Sequence, residues 1–342
     1  MRGAARTALG LYLEIRVIPV LLWSVTAVTL GTALAWSQGA PRSVSGYLGA
    51  LLIGILLQGI VAHTVNDIAD WRSGTDRDPA PRVISGGSKT LPARLVTERV
   101  LVVACAVAIV AAGGIGLALA AAHGWWLASF GAIGLTGAVL YTLPPVRLAY
   151  RPFAGEAVAF TCVWACGAGA FGLQAGNLTL DATLVAGMHA AACTAMLMLH
   201  HDLDSGPDSR ARPPKVTSVV RLGTKARAYA AGWSMAAVAL AAGSIAIDPA
   251  FALAAAFLAL ATVAHATVRP QDVGSVTRAE LVVILAGLAA GLGTAALLEG
   301  RLVWTLLAAA LLIPIELAIA RRALAPLMAA RHLRAEPPPL PG

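Results

Sequence analysis

Charge is what this chain has least of. Asp, Glu, Lys and Arg make up 12% of its 342 residues and hydrophobic residues 58%, against roughly 25% charged in an ordinary soluble domain. That scarcity excludes a water-soluble globular protein and leaves an integral membrane protein. Cysteine is also scarce. Cys105, Cys162, Cys166 and Cys193 all fall inside apolar runs, and the spacing of Cys162 and Cys166 matches neither a zinc site nor a redox pair. All four read as small packing residues.

What is plentiful is apolar runs of membrane-crossing length. They lie near 18–36, 47–65, 99–121, 125–141, 155–175, 182–200, 226–247, 249–268, 279–298 and 302–320. Each is close to what a bilayer requires of a helix. The pattern predicts an all-α polytopic transmembrane helix bundle of nine or ten spans in one domain over 1–342. The closely spaced pair 226–247 and 249–268 is the uncertain division. The first run is as long as a full span and others follow it, so no signal peptide is expected. The Pro-rich tail 335–342 is expected to be disordered.

Bases are missing from alternate connections. Those on the N-terminal side of the spans hold 23 of the 25 Lys and Arg, and Arg42 and Arg301 stand alone on the other. This is the positive-inside asymmetry, which predicts a multi-pass cell-membrane protein with both termini and the 66–98 loop in the cytoplasm. The net charge of +8 therefore reports orientation, not affinity for nucleic acid. Residues 1–14 read as a short interfacial helix, and Arg16 as a base snorkelling to lipid headgroups.

Acids are missing almost everywhere except in two loops. After the second span, His63–Arg94 holds Asp67, Asp70, Asp76 and Asp78 with Arg72, Arg77, Arg82, Lys89 and Arg94. After the sixth, residues 200–223 hold Asp202, Asp204 and Asp208 with Arg210, Arg212, Lys215 and Arg221. Four spans separate them, an even number, so both loops fall at one membrane face and can face each other across the bundle. Asp67 and Asp70, three apart, would share a helix face. Residues 85–88, SerGlyGlySer, could wrap an anion with backbone amides.

Carboxylates at this density repel one another and any phosphate. Hard oxygen donors on helix ends call for Mg²⁺, which bridges a few carboxylates to phosphate oxygens, while Lys and Arg neutralise the remainder. His200 and His201 beside Asp202 lack zinc-ligand spacing and read as supporting groups. A phosphate site capped by an apolar bundle implies a lipid diphosphate whose departure the charges assist. Two acids stand apart. Glu156 opens the fifth span, where it complements the helix dipole, and Glu316 near the end of the tenth is read as an ion pair with Arg321 or Arg322.

These segments carry a resemblance. AsnAsp-x-x-Asp (66–70), RVISGGS, YTLPPVRLAYRPFAGE (141–156) and Asp204-x-x-x-Asp208 with Lys215 resemble the UbiA superfamily of intramembrane prenyltransferases over about residues 10–245. NDIADWRSGTD is most similar to the 1,4-dihydroxy-2-naphthoate polyprenyltransferase branch of menaquinone biosynthesis. The resemblance implies Mg²⁺-dependent transfer of a polyprenyl group from a prenyl diphosphate to an aromatic acceptor such as 1,4-dihydroxy-2-naphthoate. It implies that Asn66, Asp67, Asp70, Asp204 and Asp208 hold Mg²⁺ and do the catalytic work. Arg82, Lys89, Arg147 and Lys215 would grip the diphosphate, with Asp76 and Asp202 close by. Tyr141 and Tyr150 would line the pocket near the developing cation. Where the family's first motif often has another Asp, this chain has Gly74, and Asp76 is the nearest substitute. The rival readings are a specialised enzyme that prenylates another acceptor or cyclises a terpene, and an ion-coupled transporter. Against the transporter, the acids sit at one face and not at the midplane.

Overall fold

A computed structural model describes residues 3–77 and 87–335, the last eight of these by backbone path alone. All regular structure in it is helical. Ten rods account for the apolar runs: α1 (Gly3–Ser37), α2 (Val44–Ser73), α3 (Glu98–His123), α4 (Trp125–Leu140), α5 (Ala154–Ala175), α6 (Leu180–His200), α7 (Ala226–Ser244), α8 (Phe251–Thr267), α9 (Val273–Leu298) and α10 (Val303–Ala335). The ambiguous pair of runs divides at residues 245–250. Among the described residues seven helices are long and apolar enough to cross a membrane, and α4 and α8 are shorter apolar helices. In hydrocarbon a helix satisfies every backbone group internally, which is why uninterrupted apolar runs have one stable outcome.

Polar residues at the run ends fix the helix boundaries. Ser43, Thr97, Thr179 and Asp272 each accept a hydrogen bond from the amide three residues on, a cap worth about 1 kcal/mol. α1, α5 and α6 pack against one another, and α7, α8 and α9 continue the ring. α1 crosses α5 so closely that a Cβ on Gly31 would lie 2.1 Å from the Gly167 carbonyl oxygen. Small residues let such backbones touch in lipid, where no hydrophobic force draws helices together. Ala27–Leu34 of α1 are buried almost throughout, whereas α3 and α10 lie at the edge of the bundle.

α1 begins with the short N-terminal helix that the sequence suggested and runs on into the first span. Helix Gly3–Ile15 joins the span through a single break at Arg16, whose φ of 54° is left-handed, and Leu13 and Glu14 are buried. α2 contains a π-helical stretch, Ile55–Ala62, immediately before its acidic end, a distortion common near functional sites. The four cysteines are free. Of the expected tail, residues 336–342 lie outside the described residues.

Candidate active site

The acidic end of α2 sorts its polar residues by helical angle. Asn66 and Asp70, four apart, lie on one face, while Asp67 is rotated roughly 60° from Asp70 at 3.6 residues per turn. Asp70 is met by three donors: Asn66 Nδ2 at 3.2 Å, the Tyr150 hydroxyl at 2.8 Å and Lys215 Nζ at 2.7 Å. Asp67, on the adjoining flank of the same helix end, meets different partners. It accepts the Ser88 amide at 3.0 Å and the Ser88 hydroxyl. That hydroxyl also lies 2.8 Å from Glu14 Oε2, and Thr90 Oγ1 donates to the same oxygen at 2.7 Å. The Ser88 amide is thus committed to a protein carboxylate and does not point at an open anion site; Ser85 and Gly86 lie outside the described residues.

Gly74 ends α2 with φ 93° and its amide on the Asp70 carbonyl, a left-handed C-cap that favours glycine. The next turn, Thr75–Arg77, aims Asp76 back toward Asp67 and Asp70. A Cβ on Gly87 would lie 2.6 Å from Asp76 Oδ2 and 3.5 Å from Asp67 Oδ1, so only glycine fits over the carboxylates there. The second cluster folds onto the first. The Arg212 amide donates to the Ser73 carbonyl at 2.9 Å, and Lys215 Nζ, on Asp70, lies 4.0 Å from Asp208 Oδ1. The two loops meet at one end of the bundle, as the even number of spans between them predicts.

Burial and like charge govern this end. Burial pushes Asp76 well above the usual carboxylate range, with the Asp70 and Asp67 charges adding to it. Burial likewise raises Asp208 to about 7, against the opposing pull of Lys215. For Lys215 burial works downward, yet Asp70 and Asp208 outweigh it and hold the ammonium well above its ordinary value. Buried carboxylates that raise one another in this way are an arrangement a cation would relieve.

One cavity of about 580 Å³ joins this end to the interior. Its polar mouth is lined by Arg16, Asn66, Asp70, Asp76, Gly87, Tyr141, His200, His201, Asp204, Asp208 and Lys215. Its remaining wall is mostly apolar and small-residue-rich, drawn from α1 to α6 with Ile284 of α9 and with Ser24 and Gln58 as polar points, and reaches Ala50 of α2, Leu127 of α4 and Leu173 of α5. Along α2 that is twenty residues, about 30 Å at 1.5 Å per residue. Asp67, Lys89, Arg147, Tyr150 and Asp202 are not part of that wall. Lys89 is buried with φ 61° beside Gly87, and Arg147 lies over the Tyr150 ring at 5.4 Å. Tyr150 serves Asp70 and does not face the cavity. Asp202 accepts the Gln271 amide at 2.9 Å and anchors the connection between α8 and α9. Arg82 lies outside the described residues.

Among the described residues no three His, Cys, Asp or Glu side chains converge as a preformed metal cluster. The donor chemistry nonetheless suits Mg²⁺, which keeps several waters and needs few protein ligands. Asp67 Oδ1 and both oxygens of Asp208 are buried without a hydrogen-bond partner. Sequence reasoning passed over Glu14 and Thr90, and read Ser88 only as part of an anion-wrapping turn. The available signal was that Glu14 is the only acid before Asp67. It also read Arg16 as snorkelling to lipid, whereas Arg16 lines the cavity.

The helical bundle thus carries a carboxylate-and-lysine mouth over a long, largely apolar cavity. Residues 22–280 match the model of the UbiA prenyltransferase family, and the chain belongs to that family. It is 28% identical to the 1,4-dihydroxy-2-naphthoate octaprenyltransferase of Escherichia coli (strain K12) over 210 residues, 59% of this chain and 66% of that relative, just under two thirds. In fold it is similar to a UbiA homolog from Archaeoglobus fulgidus bound to GPP and Mg²⁺. The TM-score is 0.60 at 14% identity, covering 84% of this chain and 99% of the other. It is also similar to the apo structure of a UbiA homolog from Aeropyrum pernix K1, with TM-score 0.57, 16% identity and coverage of 78% and 96%.

Proposed function

We propose that the protein transfers a polyprenyl group from a prenyl diphosphate to a hydroxylated aromatic acceptor of the 1,4-dihydroxy-2-naphthoate type. The observation that carries this reading is the cavity with acids and a lysine at its mouth and a largely apolar interior, about 30 Å long from Asp70 to Ala50 along α2. The diphosphate belongs at the mouth and the isoprenoid tail along the wall. Asn66, Asp70, Asp204 and Asp208, with Asp67 Oδ1 behind them, would hold Mg²⁺. Bound there, the ion would offset the diphosphate charge and stabilise it as it leaves the allylic carbon.

The chain's own groups do the rest. Lys215, fixed by Asp70, places a cation between the two acidic loops where it can meet a diphosphate oxygen. Tyr150 and Asn66 hold Asp70 in one rotamer, so the mouth is organised before substrate arrives. The apolar wall excludes water, which would otherwise capture an allylic cation before the acceptor does. Tyr141, at the junction of mouth and wall, offers a ring to that cation. Asp76 supplies the carboxylate that the glycine cap at position 74 redirects toward the mouth. The excess of bases in the connections on this side supports a mouth at the cytoplasmic face of the cell membrane.

The test is product mass. Membranes containing the protein are incubated with prenyl diphosphates of increasing length and a panel of aromatic acceptors, with Mg²⁺ or with chelator. The expected result is a prenylated dihydroxynaphthoate-type product that disappears on chelation. Full diphosphate release by the Asp70→Asn, Asp204→Asn double variant would sink the assignment.

A further inference from the structure

α10 carries a carboxylate that this mechanism does not use, in a part of the chain beyond the family match at residue 280. The sequence pairs Glu316 with Arg321 or Arg322. In the structure both arginines are exposed, and among the described residues Glu316 forms an ion pair with neither. Glu316 is 6% exposed. Tyr12 of α1 is its hydrogen-bond neighbour, and its Oε2 is buried with no partner. An orphaned carboxylate oxygen inside a membrane bundle is costly to keep and marks a functional position by default.

Glu316 lines a small niche of about 40 Å³ between α1, α10 and the Gly87–Ser88 segment. Arg16, Pro19 and Gly87 line both the niche and the main cavity, so the niche opens beside the acidic mouth. A space of that size admits a water-sized polar group such as a hydroxyl. Glu316 in its wall offers an acceptor to a hydrogen-bond donor, beside Arg16.

We propose that the niche is the subsite for a ring hydroxyl of the acceptor, which donates to Glu316 while the ring stays in the main cavity. The proposal rests on the reading of the protein as a prenyltransferase for hydroxylated aromatics. It makes Glu316 a specificity residue, since a site built to bond a substrate hydroxyl rejects analogues lacking it.

The test uses Glu316→Leu and Glu316→Gln in the full-length protein, with geranylgeranyl diphosphate as donor. Acceptors are 1,4-dihydroxy-2-naphthoate and its analogue lacking the ring hydroxyls. In Glu316→Leu the KM for the dihydroxy acceptor should rise on the order of ten- to a hundredfold, the loss of a hydrogen bond to a charged group. The KM for the diphosphate should stay within about threefold, and the preference for the hydroxylated ring should narrow. Glu316→Gln, which keeps an acceptor oxygen, should lose less. Calorimetric titration of the solubilised protein with acceptor alone should show the same order of affinities without turnover. Unchanged acceptor KM and affinity in Glu316→Leu would mean that the niche holds only water, and overturns the proposal. Equal losses for both substrates would overturn it too, by making Glu316 structural. If the wild type releases diphosphate but prenylates no hydroxylated aromatic, the acceptor assignment fails first and takes the niche with it.

Discussion

The two acidic loops look alike in sequence and behave differently in the fold. In the first, carboxylates are met by fixed donors: Asp70 by Asn66, Tyr150 and Lys215, Asp67 by Ser88. In the second, Asp208 is wholly buried with both oxygens unpartnered, and its nearest cation is Lys215 at 4.0 Å, already bound to Asp70. Asp202, in the same run, is engaged by Gln271 and turned away. One half of the site is largely built in advance, while in the other Asp208 keeps both oxygens buried without a hydrogen-bond partner. In a metal-and-diphosphate site the second half is where an incoming cation gains most.

The comparison can be broken most severely at Asp70. Asp70→Asn removes a carboxylate from the mouth and the close partner of a buried lysine. Mg²⁺-dependent diphosphate release should fall about a hundredfold or more, and the protein should lose about 3–5 kcal/mol of stability in detergent melts, the cost of breaking a buried ion pair. Lys215→Met strikes the junction of the halves at similar cost. Here added Mg²⁺ should raise the melting temperature more than in wild type, because it restores positive charge between Asp70 and Asp208; an equal rise in both would deny the asymmetry. Ser88→Ala tests the prebuilt half alone. It should cost about 1–3 kcal/mol and lower turnover less than Asp70→Asn does. Gly74→Ala, forcing a side chain into φ 93°, should cost about 1 kcal/mol. Smallest of all, Asp202→Asn should leave the KM for prenyl diphosphate within about twofold, as befits a loop anchor.

The bilayer made most of the fold readable. A run of twenty apolar residues has one stable form in lipid, so helix number and order follow from hydropathy. The meeting of the acidic loops was readable from an even count of spans. What could not be read depends on angle and distance. Asp67 and Asp70 are three apart and seemed to share a face, but one turn of α2 sends them to different partners. Glu14 reaches Ser88 across 74 positions, and no local pattern announces that. Gly74 looked like a missing ligand; its left-handed backbone instead turns the chain so that Asp76 faces the mouth. Tyr150 had the composition of a pocket residue and became a hydrogen-bond donor to Asp70.

One modest bond has a consequence in time. The Arg212 amide rests on the Ser73 carbonyl at 2.9 Å, joining the backbones of the two loops where no side chain is involved. A diphosphate wider than the mouth would have to part them, and each parting would leave that amide open to solvent deuterium. Its exchange rate would then count openings of the enzyme, a clock that runs without substrate and slows when substrate is bound.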